Sequence, residues 1–340
     1  MKRFFVFAAM MLGLASCQNE TNIFGVNVNT NEKAVKFTVN VVAPTLDETR
    51  VAELGYNDSG EGAIKNGVLG TAQDGVTLRY ILDIYDADNN RARDRYTAYV
   101  DDKAVTFEPV LIPGRKYTFV VWADIVKKDA QGEWVNDLYN VEDLTKVTIN
   151  EANWKPMDET RDAYTGFKEV TNLQATGDIV VDLTRPFGKL RIVTLDRDAV
   201  ANLHVTPDFA SVDYQGVPVY SFNALDGTYT AANATLPKMH AKFAIANYGT
   251  NNKTNMTLFT DYFFAPSENE VALGNFTLNV YDDENDNSLI TSTTINTTIP
   301  VKRNRLTTLT GNLLTINATS FRIIASTGDD FEEWTTVELQ

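Results

Sequence analysis

Two-residue alternation of apolar and polar side chains is the dominant pattern along this chain. In Lys33–Val42, apolar residues occupy every second position and polar residues mostly lie between them. The apolar positions are Val35, Phe37, Val39 and Val41. Since successive side chains of a strand point to opposite faces, this segment predicts a half-buried β-strand with these four residues toward a core.

Short β-prone runs continue to the end of the chain. Leu78–Ile84 alternates and leads into a polar turn at Asp86, and Tyr117–Ala123 follows the turn Pro113-Gly114. Further predicted strands are Tyr96–Val100, Ile179–Leu183, Leu190–Leu195, Val217–Phe222, Phe243–Ala246, Met256–Phe264, Phe276–Tyr281, Ile290–Ile295 and Phe321–Ile324. Short strands separated by polar turns are typical of a β-sandwich or barrel. Helical periodicity is scarce, which argues against a parallel sheet built from βαβ units.

The N-terminus has a different pattern. Lys2 and Arg3 precede the apolar run Phe4–Ser16, which is shorter than the roughly 20 residues of a transmembrane helix and fits the core of a secretory signal. The run ends in Leu-Ala-Ser before Cys17 and resembles a bacterial lipobox. That resemblance implies cleavage before Cys17 and lipid on its thiol. The alternative is an ordinary signal peptide that happens to contain a cysteine.

Composition and charge limit the possible functions. The chain has 340 residues, a formal net charge of −15, one cysteine and two histidines. The length favours about two domains, the acidic balance argues against nucleic-acid binding, and a single cysteine excludes an intramolecular disulfide. The predicted organisation is a signal peptide at 1–16, a polar tether at 17–32, an N-terminal β-sandwich at 33–177 and a C-terminal β-sandwich at 178–340.

Residues suited to catalysis or metal binding are few. The turns beginning at Asp86 and Asp282 have the one-three-five acidic spacing of a calcium loop, but they lack its glycine at position six and glutamate at position twelve. A looser surface calcium site stays open. His204 and His240 have no accompanying nucleophile or His-Glu-x-x-His motif. We therefore expect no enzyme, no metal and no cofactor.

The four tryptophans raise a second possibility, a platform on which a sugar ring stacks. Trp122 lies inside a β-prone run and is expected in the core, whereas Trp134 and Trp154 lie in turn-rich sequence where exposure is expected. The fourth is Trp334. On this pattern, the alternative function is a glycan-binding surface lipoprotein of a nutrient-uptake system.

Several segments together resemble the Bacteroidetes fimbrillin-like surface lipoproteins, which are subunits, anchors or accessory proteins of type V pili. The resemblance is carried by the lipobox at Cys17, the Thr49-Arg50 pair, Phe119–Asp124, Leu183–Leu190, Asp261–Pro266 and Ile299–Thr315. The segments occur in the family's order from the signal to near residue 315. The resemblance implies an all-β fold of two tandem transthyretin-like β-sandwich domains with immunoglobulin-like topology.

The resemblance also implies a route of assembly. In this family, a lipidated precursor reaches the outer membrane, a trypsin-like protease cuts after an arginine, and the first strand is released to leave a groove for a strand of another subunit. Carried over to this sequence, the released strand is Lys33–Val42 and the cut falls between Arg50 and Val51, within the polar segment Leu46–Gly62. The C-terminal segment Phe331–Gln340 alternates only partially, which counts against a stalk subunit.

The expected function is therefore that of an outer-membrane-anchored fimbrial protein in adhesion. Its expected partners are other fimbrial subunits, through strand exchange, and the outer membrane, through lipid on Cys17. The expected location is the cell surface. The role as stalk, tip or anchor and the identity of any host or glycan receptor are left open.

Overall fold

The computed structural model describes most of the chain from residue 33 onward. The described ranges are 33–42, 76–100, 104–135, 138–154, 159–196, 199, 207–214, 218–235, 243–244, 256–265, 271–273, 275–282, 288–296, 299–314, 322–325 and 336–338. From Ala34 onward the described residues belong to one compact unit. No helix in these ranges has both the length and the apolar character that crossing a membrane requires.

Strands are the main regular elements of the described chain. In the first half they are β1 (Val35–Lys36), β2 (Thr38–Val42), β3 (Val76–Tyr85), β4 (Tyr96–Val100), β5 (Ala104–Phe107), β6 (Val110–Leu111), β7 (Tyr117–Lys128), β8 (Trp134–Val135), β9 (Tyr139–Asn140), β10 (Thr148–Ile149), β11 (Ala163–Val170) and β12 (Asp178–Asp182). Short 3-10 helices occupy Leu144–Lys146, Glu151–Asn153 and Glu159–Arg161.

The second half continues in the same manner. Its strands are β13 (Phe187–Thr194), β14 (Phe209–Tyr214), β15 (Pro218–Asn223), β16 (Thr228–Thr235), β17 (Phe243–Ala244), β18 (Met256–Phe264), β19 (Val271–Leu273), β20 (Phe276–Tyr281), β21 (Leu289–Ile295), β22 (Ile299–Val301), β23 (Leu306–Gly311), β24 (Arg322–Ala325) and β25 (Thr336–Glu338). The prediction of an all-β fold is confirmed.

A first sandwich forms from two sheets of the N-terminal half. One sheet has the order β11-β7-β3-β4, with β8 attached to β7, and the other has the order β12-β2-β5. Alternate side chains of both sheets meet in a first core, which is sheet-on-sheet packing. The first core includes Phe37, Val39, Val41, Leu78, Tyr80, Leu82, Phe119, Val121, Tyr164, Ile179 and Val181.

A second sandwich forms in the C-terminal half. Its sheets have the orders β18-β13-β23-β24-β25 and β17-β14-β20-β21. The second core between them includes Trp154, Leu190, Ile192, Val212, Tyr214, Leu258, Phe263, Phe276, Leu278, Val280 and Leu309. Two strand pairs, β12 with β2 and β13 with β23, are parallel. No crossover helix is needed for β13 and β23, because the chain between them passes through strands of the opposite sheet.

A third cluster joins the two sandwiches. This junction core includes Ile81, Val120, Trp122, Tyr139, Val147 and Ala163 from the first half and Phe187, Phe222, Tyr262 and Phe264 from the second. The ring of Tyr139 stacks on Phe187 at 5.9 Å between centroids. Strand β13 is buried along its whole length and pairs with β18 and β23. Its residues Leu190 and Ile192 pack in the second core, and Phe187 packs in the junction core.

Strand β12 ties the two halves together in a second way. It begins at Asp178, immediately after the predicted domain boundary, yet it pairs with β2 of the first sandwich. Ile179 and Val181 lie in the first core. Strand β12 therefore completes the sheet that holds β2, and the division into domains at 177/178 stays a prediction.

Candidate functional site

The segment that the sequence predicts to be releasable pairs with three other strands. Strand β1 pairs antiparallel with β6, and β2 pairs antiparallel with β5. Between them, the amide of Phe37 donates to the carbonyl of Pro109 at 2.8 Å. On its other side, β2 pairs in parallel register with β12, from Thr38 opposite Asp178 to Val42 opposite Asp182. Strand β2 is therefore the central strand of its sheet.

The two faces of this segment differ as the alternation predicts. Phe37, Val39 and Val41 are at most 3% exposed and pack in the first core. On the outer face, Lys36 Nζ lies 2.7 Å from Glu108 Oε2, and both side chains are 60% exposed. Thr106 Oγ1 donates to Asn40 Oδ1 at 2.9 Å. The segment thus fills a groove in the core with three apolar side chains, while its outward contacts are solvated.

The residues predicted for lipidation and processing are not placed by the structure. Cys17, Arg50 and Val51 all lie outside the described residues. The histidines His204 and His240 also lie outside them. The predictions for these positions therefore stay predictions.

In the acidic turn that begins at Asp86, the Asp86 carboxylate bonds the backbone of the turn itself. Asp86 Oδ1 accepts hydrogen bonds from the amides of Asp88 and Asn90, each at 2.9 Å. Asn89 takes a left-handed backbone with φ of 60°, which asparagine tolerates better than most residues. Within the described ranges, no group of three or more His, Cys, Asp or Glu side chains is placed to hold a metal ion.

The burial of the described tryptophans differs in part from the expected pattern. Trp122 is buried as expected, and its Nε1 donates to Asp124 Oδ2 at 3.0 Å. The expected exposure of Trp154 is wrong, because this side chain is only 2% exposed and stacks on Tyr214 in the second core. Trp134 is partly exposed but already lies against Tyr99 and beneath Lys128 Nζ, 4.8 Å from its ring centroid. A sugar platform of Trp134 with Trp154 is therefore excluded.

The first buried ion pair at the junction joins Arg185 and Asp162. Arg185 Nε and Nη2 donate to Asp162 Oδ1 and Oδ2, each at 2.8 Å. The hydroxyl of Tyr164 also donates to Asp162 Oδ2, at 2.9 Å. Burial raises the pKa of Tyr164 well above its ordinary value, so this hydroxyl stays a donor. The segment that leaves β12 is thereby fixed to the start of β11.

The second buried ion pair joins Arg161 and Asp261. Arg161 donates to Asp261 Oδ1 and, at 3.0 Å, to the carbonyl of Tyr262. Tyr214 donates its hydroxyl to Asp261 Oδ2 at 2.7 Å. Burial raises the pKa of Asp261, although the Arg161 charge acts in the opposite direction. This pair links a 3-10 helix of the first half to β18 of the second.

The described parts of four segments that carry the family resemblance, 119–124, 183–190, 261–265 and 299–314, meet at this junction. Arg303, in the turn after β22, donates to the carbonyl of Arg185 at 3.1 Å and to Thr184 Oγ1 at 2.8 Å. A side chain at Gly188 would meet the carbonyl oxygen of Lys302 in the same turn. Asp124 accepts from Arg79 at 2.7 and 2.9 Å. These motif residues therefore hold the fold together.

Sequence reasoning missed the partners in these ion pairs. Arg161 and Asp261 are 100 residues apart, and Arg185 and Asp162 are 23 apart. Each charge directly precedes or lies within an apolar strand, as in Thr-Arg-Asp-Ala-Tyr at 160–164. Charged residues are rarely fully buried unless they are paired. The position of these charged residues beside apolar strands therefore signals in the sequence that they are buried in pairs, but it does not identify the partner of each.

Comparisons with known proteins found a matching family model and similar solved structures. A model described as "Family of unknown function (DUF6562)" matches residues 27–338. A fimbrial assembly protein from Parabacteroides distasonis is similar in structure, with a TM-score of 0.43 and 13% identity over 90% of this chain and 100% of that chain. The fimbrial anchor protein Mfa2 from Porphyromonas gingivalis gives a TM-score of 0.37 and 12% identity over 85% and 97%. No curated protein matches.

Proposed function

The chain belongs to the family of unknown function DUF6562, and we propose that it is a fimbrial protein of the bacterial cell surface that acts in adhesion. The proposal includes an anchor of lipid on Cys17 and a first strand that can be exchanged after cleavage between Arg50 and Val51. It has no catalytic step. It is supported by the sequence motifs and, above all, by the geometry of the first strand.

That geometry is the observation that carries the proposal. Within the segment from Val35 to Val42, β2 is bonded along both sides and β1 is bonded to β6 along one side, while Phe37, Val39 and Val41 lie in the first core. Removal of the segment would expose a groove with two rows of unpaired main-chain groups and three apolar pockets. Such a groove binds an added strand by main-chain hydrogen bonds, with pockets for alternate side chains. An open groove of this kind is also prone to aggregation, so it must be filled promptly.

The order of the predicted sites along the chain fits this exchange. Cys17 precedes the segment, and Arg50 lies between Val42 and the start of β3 at Val76. A cut after Arg50 would separate the first strand from the rest of the fold. Before the cut, the strand connects a lipidated Cys17 to the sandwich covalently; afterwards, only hydrogen bonds and apolar contacts retain it.

The far end of the chain supports an anchor or accessory role over a stalk role. Strand β25, at Thr336–Glu338, pairs antiparallel with β24, which itself pairs with β23. A segment already paired within its own sheet must be released before it can serve as a donor to another subunit. The partial alternation of Phe331–Gln340 points the same way.

The test begins with limited trypsin treatment of the mature chain without its lipid. We expect an early cut that gives a new N-terminus at Val51, read by N-terminal sequencing, and its absence in an Arg50→Gln variant. The cut protein is then mixed with an excess of biotinylated peptide spanning Lys33–Val42. Incorporation into the cut but not the uncut protein is the expected result.

Two variant peptides sharpen this experiment. A Val39→Asp peptide places a charge in the groove and should not be incorporated, because an unpaired buried charge is strongly unfavourable. An Asn40→Asp peptide introduces the same charge on the outer face and should be incorporated like the natural sequence. A protein that resists cutting after Arg50, or a cut protein that takes up all three peptides equally, would overturn strand exchange. The N-terminal residue of the protein from the cell surface tests the anchor separately: an acylated Cys17 indicates a retained anchor, and Val51 indicates a processed subunit.

A further inference from the structure

A cleft of about 490 Å³ lies beside the junction of the two sandwiches. It is lined by the β9–β10 hairpin and by the 3-10 helix that follows it, through Tyr139, Asn140, Thr148, Asn150, Glu151 and Ala152. We call this the hairpin cleft. We propose that it binds a neutral saccharide of one or two rings. This site is separate from the strand groove, and its function does not depend on cleavage at Arg50.

The base of the hairpin cleft is firmly held. Tyr139 packs in the junction core, where its ring contacts Trp122, Phe187 and Phe264. The neighbouring residue Ile149, which also lines the cleft, packs against both the junction core and the second core. The 3-10 helix ends at Trp154, which is buried in the second core. Small-molecule sites favour such positions, where two bodies meet and the walls are already formed.

The polar groups of the cleft are available for a ligand. Asn150 occupies the N-cap position of the 3-10 helix, where an asparagine side chain normally bonds the helix backbone, but it makes no such bond. Asn140 uses its Oδ1 to accept from the amide of Glu142 at 3.2 Å, and its amide nitrogen carries two hydrogens that can be donated. Glu151 is exposed and contributes an acceptor-only carboxylate.

This set of groups fits the chemistry of a sugar. Carboxamides and a carboxylate bond the hydroxyls of a sugar ring as donors and acceptors, while Ile149 and Ala152 offer apolar surface to its C–H groups. Among the described residues of the lining, Glu151 is the only charged one, and the chain has a net charge of −15. Like charges repel, so an anionic saccharide is disfavoured and a neutral one is favoured.

The experiment is saturation-transfer difference NMR on the full mature chain, with a panel of maltose, cellobiose, lactose and mannobiose at millimolar concentration. Glucose and glucuronate, each a single ring, form a matched neutral and anionic pair. We expect saturation transfer to at least one neutral disaccharide and a weaker or absent signal for glucuronate than for glucose. Asn150→Ala and Glu151→Gln should each weaken binding about fivefold or more, as expected for losing hydrogen bonds to a bound ligand.

Glu142→Gln is the matched control, because Glu142 is exposed on the same hairpin but does not line the cleft. It should leave binding unchanged, and thermal unfolding of all variants checks that the fold is intact. Absence of transfer to every neutral sugar would overturn the proposal, as would binding insensitive to Asn150→Ala and Glu151→Gln, or a preference for glucuronate over glucose. None of these results would affect the proposed strand exchange, which the peptide experiment tests independently.

Discussion

Single residues at the junction carry charges into positions that water does not reach. Arg185 and Asp162 are both at most 1% exposed and share three hydrogen bonds. A buried ion pair offsets its own desolvation only when both partners are present. The pair therefore fixes the segment after β12 against the start of β11. Loss of one partner should lower the free energy of unfolding.

The first prediction is that Asp162→Asn lowers the free energy of unfolding by about 3 kcal/mol or more, because it leaves the Arg185 charge buried without its carboxylate. Urea unfolding followed by tryptophan fluorescence measures this change. Glu108→Gln is the control. It removes a partner of Lys36 from a pair in which both side chains are 60% exposed, and its effect should stay below about 1 kcal/mol. Equal effects of the two variants would contradict the assigned role of burial.

The second prediction concerns pH. Burial raises the pKa of Asp124 above its ordinary 3.8, against the opposing effect of Arg79. The folded protein therefore holds this proton more tightly than the unfolded chain. The resulting stabilisation is complete below pH 3.8 and is lost as the pH rises through the folded-state pKa. Asp124→Asn should remove this decline, measured as the unfolding midpoint against pH in the mildly acidic range.

Asp143 should have the opposite effect to Asp124 on the dependence of the unfolding midpoint on pH. Hydrogen bonds from Thr145 lower the pKa of Asp143 below its ordinary value. Its contribution to stability is present above pH 3.8 and is lost as the pH falls through the lowered pKa. Asp143→Asn should therefore flatten the profile only at its acidic end. Profiles that change in the same direction in both variants would contradict the assigned environments.

The third prediction concerns the close approach at Gly188. A Cβ atom there would meet the backbone of the turn at Lys302, and backbone cannot move aside as a flexible side chain can. Gly188→Ala should destabilise the fold by about 1–3 kcal/mol, the usual cost of overpacking. Thermal unfolding measures it, and an unchanged midpoint would show that the two segments do not approach so closely.

At the scale of elements, the first strand divides its side chains into a buried and a solvated set. The fourth prediction is that Val39→Asp in the intact chain lowers the free energy of unfolding by about 3 kcal/mol or more, since it buries a charge in the first core. Asn40→Asp, one residue away, should change it by less than about 1 kcal/mol, because an aspartate oxygen can still accept from Thr106 Oγ1. Urea unfolding of both variants gives the comparison. Similar losses of unfolding free energy in the two variants would mean that Val39 and Asn40 do not lie on the buried and solvated faces as described.

The strands themselves could be predicted from the sequence, because each leaves a local pattern. Lys33–Val42 and Tyr117–Ala123 correspond to β1–β2 and the first part of β7. Their pairing could not be predicted in the same way. Nothing near Asp178 in the sequence shows that β12 pairs with β2, since register depends on contacts between segments far apart in the chain.

The burial of Trp154 shows the same limit at the candidate site. Its neighbours in sequence are polar and turn-forming, so local pattern favours exposure. Its neighbours in space are Tyr214 and Phe263, with the Arg161 guanidinium 4.8 Å from its ring centroid. Tertiary contacts decide its environment, and the sugar platform predicted from sequence fails for that reason. The hairpin cleft likewise depends on where the β9–β10 hairpin lies, which no motif indicates.

At the scale of the whole molecule, the junction core gives the two sandwiches a shared interior. Aromatic rings from both halves contact one another there, with Phe187 between Tyr139, Tyr262 and Phe264. Two buried ion pairs lie at the same place. An interface that is large and apolar couples the stability of the parts that it joins. The two sandwiches should therefore unfold together in a single transition.

The last prediction tests that coupling through two matched variants. Phe187→Ala removes a ring from the junction core, and Phe276→Ala removes one from the second core. Both should cost about 3–5 kcal/mol. Only Phe187→Ala should separate thermal unfolding into two transitions in calorimetry, because it weakens the contact between the sandwiches and leaves their separate cores intact. Phe276→Ala should shift one transition without splitting it. A natural chain that already unfolds in two steps, or two variants with the same profile, would show that the sandwiches are energetically independent.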